Sequence, residues 1–445
     1  MICGPTLDTR DLPVSCSQPE ALNLYEKALT QFQSYIGDPI ATIEEALRLS
    51  PDFALGHVFR SVALMTMSEQ RFLSQARASV DAARALLPSS NPRERMLTAA
   101  AAKLVEGDWD AACVGFDNVL VDYPRDAFAI QSAHLMDFFR GDSRNLRSRI
   151  TRVLPHWSAE VPGYSYILGM HAFGLEECNQ YAEAEETGRR ALALEPKDAW
   201  AIHAVTHVME MQGRTDEGVH WLESRKNDWA VNNNFAFHNW WHLALFYLDR
   251  GKCANAIAVY DYQIHSAPPD YVLQLLDATA LLWRLYLERV ELQERAARIA
   301  DNWVERFETE RGFYAFNDLH AMMAFVMAGR EGEADQLIAD MEWTVTNGKG
   351  SNVMMTRDVG LPLCRAMRAF GQGRYSSVVS LIEPVRDIAY RFGGSHAQRD
   401  VLTLTLIEAA IRSGQCRRAQ HYIAERTMTR PGGQWGMRLM QKAAL

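Results

Sequence analysis

Two imidazoles and a carboxylate follow one another in Asp198-Ala-Trp-Ala-Ile-His203-Ala-Val-Thr-His207-Val-Met-Glu210, at spacings of four and three. On a helix those spacings put all three side chains on one face. Such a face can hold a divalent cation through His203, His207 and Glu210, with His238 or His242 completing the set. It can also tune an imidazole for proton transfer near neutral pH, with Glu210, Asp318 or Asp400 beside it. The candidate catalytic residues are therefore His203, His207, Glu210, His242, His320 and Asp318.

Polar groups recur further along. His238-Asn239-Trp-Trp241-His242 and Phe316-Asn317-Asp318-Leu-His320 both carry Asn-x-x-His, and Gly393-Gly-Ser-His396-Ala-Gln398-Arg399-Asp400 opens another segment with polar residues. His238, Asn239, Trp241, Asn317, Gln398, Arg399 and Asp400, together with His171, are the candidate ligand-binding residues, with Arg399 suited to anchor an anion. Mutual hydrogen bonds fastening one helix to the next are the competing reading of the same residues. Large aromatics such as Trp200, Trp221, Trp229 and Trp240 read as packing. No Gly-x-Ser-x-Gly, His-Glu-x-x-His or Gly-x-Gly-x-x-Gly occurs, and the glycines around Lys349 lack phosphate-loop spacing, so the reaction class stays open.

The elements that must position these groups are helices. From about Pro19 onward, apolar residues recur at three- and four-residue spacing, while strand-type alternation is nearly absent. Turns at Gly107, Gly141, Asn179, Gly213, Gly251, Gly329, Gly373 and Gly414 come at intervals of 34 to 44 residues, with one interval doubled. A small residue stands five positions after most turns, at Ala112, Ala184, Gly218, Ala256, Ala334 and Ala419, where a hairpin needs its helices close. Leu47-Arg-Leu-Ser-Pro51 and Leu192-Ala-Leu-Glu-Pro196 end one helix and open the next.

These segments resemble the tetratricopeptide repeat, a helix-turn-helix unit of about 34 residues. The fold expected is all-α, a right-handed α-solenoid of tetratricopeptide-like hairpins over 19–429, after an irregular arm at 1–18 and before a capping segment at 430–445. In such solenoids the helix before each turn lines the concave side, which turns His203, His207, Glu210, His238 and Trp241 inward. A pocket is expected from residues 165–400. Five ordered motifs also resemble the tetratricopeptide repeat protein 38 family: Asp198-Ala-Trp-x-x-His203-x-x-x-His207-x-x-Glu210, His238-Asn-x-Trp241-His242, Phe316-Asn-Asp-x-His320, Arg357-Asp-Val-Gly-Leu-Pro-Leu-Cys364 and Gly393-Gly-Ser-x-Ala-Gln398-Arg-Asp-Val401. That resemblance implies the same helical solenoid and brings no activity with it.

Composition bounds the rest. The 445 residues carry 46 Lys and Arg against 55 Asp and Glu, a net charge of −9, with no basic cluster for nucleic acid or an anionic membrane. No apolar run approaches a membrane span and no secretory leader is visible, so a soluble cytoplasmic protein is expected. Seven scattered cysteines without Cys-x-x-Cys read as reduced, packed thiols, Cys364 among them. Two functions compete. One is a concave pocket for a small polar or anionic ligand, with hydrolytic or lyase-type acid–base catalysis. The other is an interaction scaffold holding a peptide segment in an open groove. No cofactor is expected beyond a divalent metal at the histidines, and homo-oligomers are compatible with either function.

Overall fold

The computed structural model describes residues 6–444; Cys3 and the first residues of the expected arm lie outside them. The described chain is all-helical apart from one short antiparallel ribbon, Thr6–Leu7 against Pro13–Val14, in the N-terminal arm. Asp8 closes that ribbon's turn by accepting the N–H groups of Arg10 and Leu12, at 2.8 and 3.1 Å. No described helix is long and apolar enough to cross a membrane.

The chain divides into two units, Met1–Val205 with Asp228–Phe235, and Thr206–Asn227 with Ala236–Leu445. The first is built of antiparallel helix pairs: Pro19–Ser34 with Pro39–Leu49, Ala54–Met65 with Leu73–Ala85, Pro92–Val105 with Trp109–Asp122, Ala127–Arg140 with Ser143–Val153, and Tyr164–Glu176 with Tyr181–Leu194. The second continues the pattern with Val272–Leu287 and Gln293–Glu310, Ala315–Ala328 and Glu331–Asn347, Leu361–Gly371 and Tyr375–Ile382, and His396–Arg412 and Cys416–Thr429. A final helix, Gln434–Ala443, takes its N-terminal cap from a distant residue: both carboxylate oxygens of Asp249 accept its first amides, at 3.0 and 3.1 Å.

The hairpin turns share one backbone solution. Gly213 sits at φ +66° and the N–H of Arg214 reaches back to the carbonyl of Met209 at 2.8 Å, the paired closure that ends a helix through a left-handed residue. Where a turn lacks glycine another residue takes the same region: Asn179 adopts φ +61°, which its short polar side chain tolerates best after glycine, and Arg289, between Val272–Leu287 and Gln293–Glu310, also stands at φ +61°. The small residues five positions later are all buried. A Cβ on Gly218 would stand 2.2 Å from the ring of Phe246, so the approach of Thr215–Ser224 to Ala236–Asp249 requires the glycine. In the second unit the helices before the turns are buried on nearly every side: in Ala315–Ala328 all residues from Ala315 to Phe325 are buried. The six described cysteines are free thiols. Cys364 is sealed in the core, where burial and then the neighbouring Asp318 push its thiol far above the ordinary range.

Candidate functional site

Helix Ala199–Met211 begins where Pro196 cannot extend the preceding helix and Asp198 accepts the N–H of Ala201 at 2.9 Å. His203, in the first unit, is walled by aromatic rings, with Phe173, Trp200 and Phe235 at centroid distances of 5.3, 5.2 and 5.1 Å. His171, also in the first unit, is half-buried and bonds through Nε2 to the Thr151 hydroxyl at 3.2 Å. Burial and then Arg147 lower its pKa to about 4.

The second unit brings three of the candidate imidazoles together. His207 and His242 have ring centroids 4.5 Å apart, and His238 and His242 4.9 Å. One ring nitrogen from each of the three lies within 4.8 Å of the others. Two of the rings are backed by carboxylates: His238 Nδ1 meets Asp277 at 2.6 Å and His242 Nδ1 meets Glu210 at 2.7 Å. A carboxylate accepts from an N–H, so each bond fixes the Nδ1-protonated tautomer and leaves Nε2 as the basic atom. Burial, and after it the neighbouring imidazoles and arginines, hold His242 neutral well below the usual histidine range. Trp241 stacks on His238 at 5.3 Å and 13°. Asn239, fully buried between His238 and His242, has neither amide atom hydrogen-bonded, and the Trp241 indole N–H is likewise unpartnered.

A guanidinium–carboxylate network continues from Glu210. Arg430 donates to the second oxygen of Glu210 at 2.8 Å and stands 3.8 Å from Asp400. Arg426 grips both oxygens of Asp400 at 2.8 Å. Burial raises the Asp400 pKa, but the pull of Arg426 and Arg430 outweighs it and holds the carboxylate far below its ordinary range. Arg284 lies over the Trp241 ring at 5.2 Å and donates to the carbonyl of Ala397 at 2.9 Å. Burial lowers its pKa to about 10. Glu210, Arg284, Asp400 and Arg430 border a hollow of about 30 Å³, room for a water or two.

Other candidates fall elsewhere. His320 bonds through Nδ1 to the carbonyl of Phe316 in its own helix at 2.8 Å, and burial lowers its pKa to about 4. Its repeat-mate His242 reaches a carboxylate on another helix instead. Asn317 is buried in the same helix as His320. Asp318 accepts the Gly312 N–H at 2.9 Å, and burial raises its pKa to about 7. Gln398 and Ser395 form the reciprocal cap of helix His396–Arg412, and Arg399 is held by the carbonyl of Gly394. These polar residues close a helix end, and Asp400 is an ion-pair partner. Asp277, Arg284 and Arg430 were not singled out by the sequence. The first two had a signal, a charge in the apolar run Leu275-Leu-Asp277-Ala-Thr-Ala-Leu-Leu-Trp-Arg284; Arg430 had none.

No family model matches the chain. It is similar in structure to a tetratricopeptide repeat protein from Parabacteroides merdae at 15% identity, with 63% of this chain and 99% of that one covered and a TM-score of 0.36. It is similar to the human IFIT1 dimer with m7Gppp-AAAA at 12% identity, with 99% and 96% covered and a TM-score of 0.44. It is also similar to yeast Tom70 at 12% identity, with 96% and 95% covered and a TM-score of 0.33. By its hairpins, their left-handed turns and the small residue in register after most of them, the chain is a tetratricopeptide-like helical-repeat protein.

Proposed function

We propose that the chain is an interaction scaffold that binds a protein segment on exposed helices, with the polar wall of its second unit serving to lock the repeats together. The observation that carries this reading is the size of the hollow beside Glu210, about 30 Å³, an order of magnitude below the roughly 300 Å³ of the smallest ordinary ligand sites. An adaptable apolar surface is available on the last two helices, where Met428, Met437 and Met440 are exposed. The net charge of −9 points away from nucleic acid as the partner. The same reading places the chain with the tetratricopeptide repeat protein 38 family, on the five motifs given above.

Selection of peptides from a displayed library against the full chain tests it. Enriched sequences should bind the wild type and lose binding to a Met437→Glu, Met440→Glu variant of unchanged helicity. Equal binding by both proteins, or no enrichment at all, contradicts the reading.

A second reading, a small-ligand site with acid–base chemistry, is favoured by one observation. The pairs His238–Asp277 and His242–Glu210 are oriented imidazoles of the kind that move protons. It requires the buried wall to open, so a metabolite that raises the Tm of wild type but not of Glu210→Gln would support it over the scaffold.

A further inference from the structure

We infer that His207, His238 and His242 form a binding site for one divalent transition-metal cation of the zinc class. The inference goes beyond the scaffold reading and stands or falls independently of any partner. Its basis is the convergence of three donors of one chemical type. A tetrahedral zinc ion with nitrogen ligands at 2.0–2.1 Å needs its donors about 3.3 Å apart. The three imidazole nitrogens already lie within 4.8 Å of one another, so modest ring movements close the set.

The surroundings suit a cation. Metal-bound histidines ordinarily give their other nitrogen to a carboxylate, which fixes the ring and raises its basicity. His238 and His242 each do so, to Asp277 and Glu210. Both carboxylates are buried, at 2% and 7% exposure, so each holds its imidazole with little screening by water. A nitrogen-only donor set selects against magnesium and calcium, which take oxygen. Three protein ligands leave a fourth position for water. The fully buried Asn239 amide, between two of the ligands in sequence and without a hydrogen bond at either atom, is a second sign of a missing polar occupant nearby.

The test uses the full chain, freed of metal by chelator and titrated first with Co²⁺ and then with Zn²⁺. One equivalent of Co²⁺ should produce the visible d–d absorption of a four- or five-coordinate site, one equivalent of Zn²⁺ should abolish it, and Zn²⁺ should raise the Tm. The variants His238→Gln and His242→Gln should lose the absorption. Asp277→Asn, which keeps the shape of the side chain, should retain the spectrum and bind roughly 10- to 100-fold more weakly. Absence of both absorption and Tm shift in wild-type protein of full helicity overturns the inference. So does an identical spectrum and stoichiometry in folded His238→Gln, which would place the ion elsewhere. If a histidine variant fails to fold, the wild-type spectrum and the Asp277→Asn affinity decide.

Discussion

Glu210 holds two partners at once, the His242 imidazole at 2.7 Å and the Arg430 guanidinium at 2.8 Å. Removing its charge leaves Arg430 with Asp400 at 3.8 Å and the more weakly acting Asp249. Breaking one side of a buried ion pair costs roughly 3–5 kcal/mol; with Asp400 still near, Glu210→Gln should cost about 2–4 kcal/mol in urea unfolding at pH 7. Asp318 works in the opposite sense. Its folded pKa of about 7 stands above the ordinary 3.8, so the folded chain keeps a proton that the unfolded chain releases. Its contribution therefore falls as pH rises from about 4 to about 7 and is constant above. Asp318→Asn preserves the oxygen that accepts the Gly312 N–H; it should flatten that slope and raise the Tm at pH 8. An unchanged Tm–pH curve would contradict the assignment. At this scale the sequence exposed His207, Glu210, His238 and His242 through their helical spacing. Gln398 and Arg399 stand at a helix cap and on the Gly394 carbonyl, and a helix cap calls for the same polar residues as a ligand site, so the sequence alone does not separate the two.

The hairpins were legible because their turns need a left-handed residue and their helices need a small contact, and both demands fall at fixed positions. A Cβ on Gly174 would stand 2.5 Å from the backbone of Leu146 and Arg147. Backbone cannot swing aside, so Gly174→Ala should destabilise the chain by at least the 1–3 kcal/mol typical of overpacking. Gly332 provides the contrast, lying exposed on helix Glu331–Asn347 with no atom within 4 Å of a Cβ. Gly332→Ala should stabilise by about 0.5–1 kcal/mol. Thermal unfolding of the two variants side by side checks both signs. The N-terminal ribbon was not legible, since four paired residues at Thr6–Leu7 and Pro13–Val14 are too short for an alternating pattern.

Across the whole molecule, repeats gave the fold class from sequence, while the division into two units rests on contacts between residues far apart in the chain. The buried histidines and aspartates set opposing pH dependences. His134, His320 and His242 all titrate below the usual 6.5 because burial disfavours the cation. Their contribution is complete above about pH 6.5 and is lost as the pH falls, when the unfolded chain takes up protons they refuse. Asp198 and Asp318, both raised to about 7 by burial, contribute most at low pH. The central claim is that the second unit is organised around buried imidazoles backed by carboxylates, with His242 held neutral. Histidine-selective ¹⁵N NMR of the metal-free chain between pH 5 and 8 measures it most directly. His242, assigned from the His242→Gln variant, should hold the Nδ1-protonated neutral tautomer throughout; a titration centred near pH 6.5 would show a ring open to water and contradict the claim.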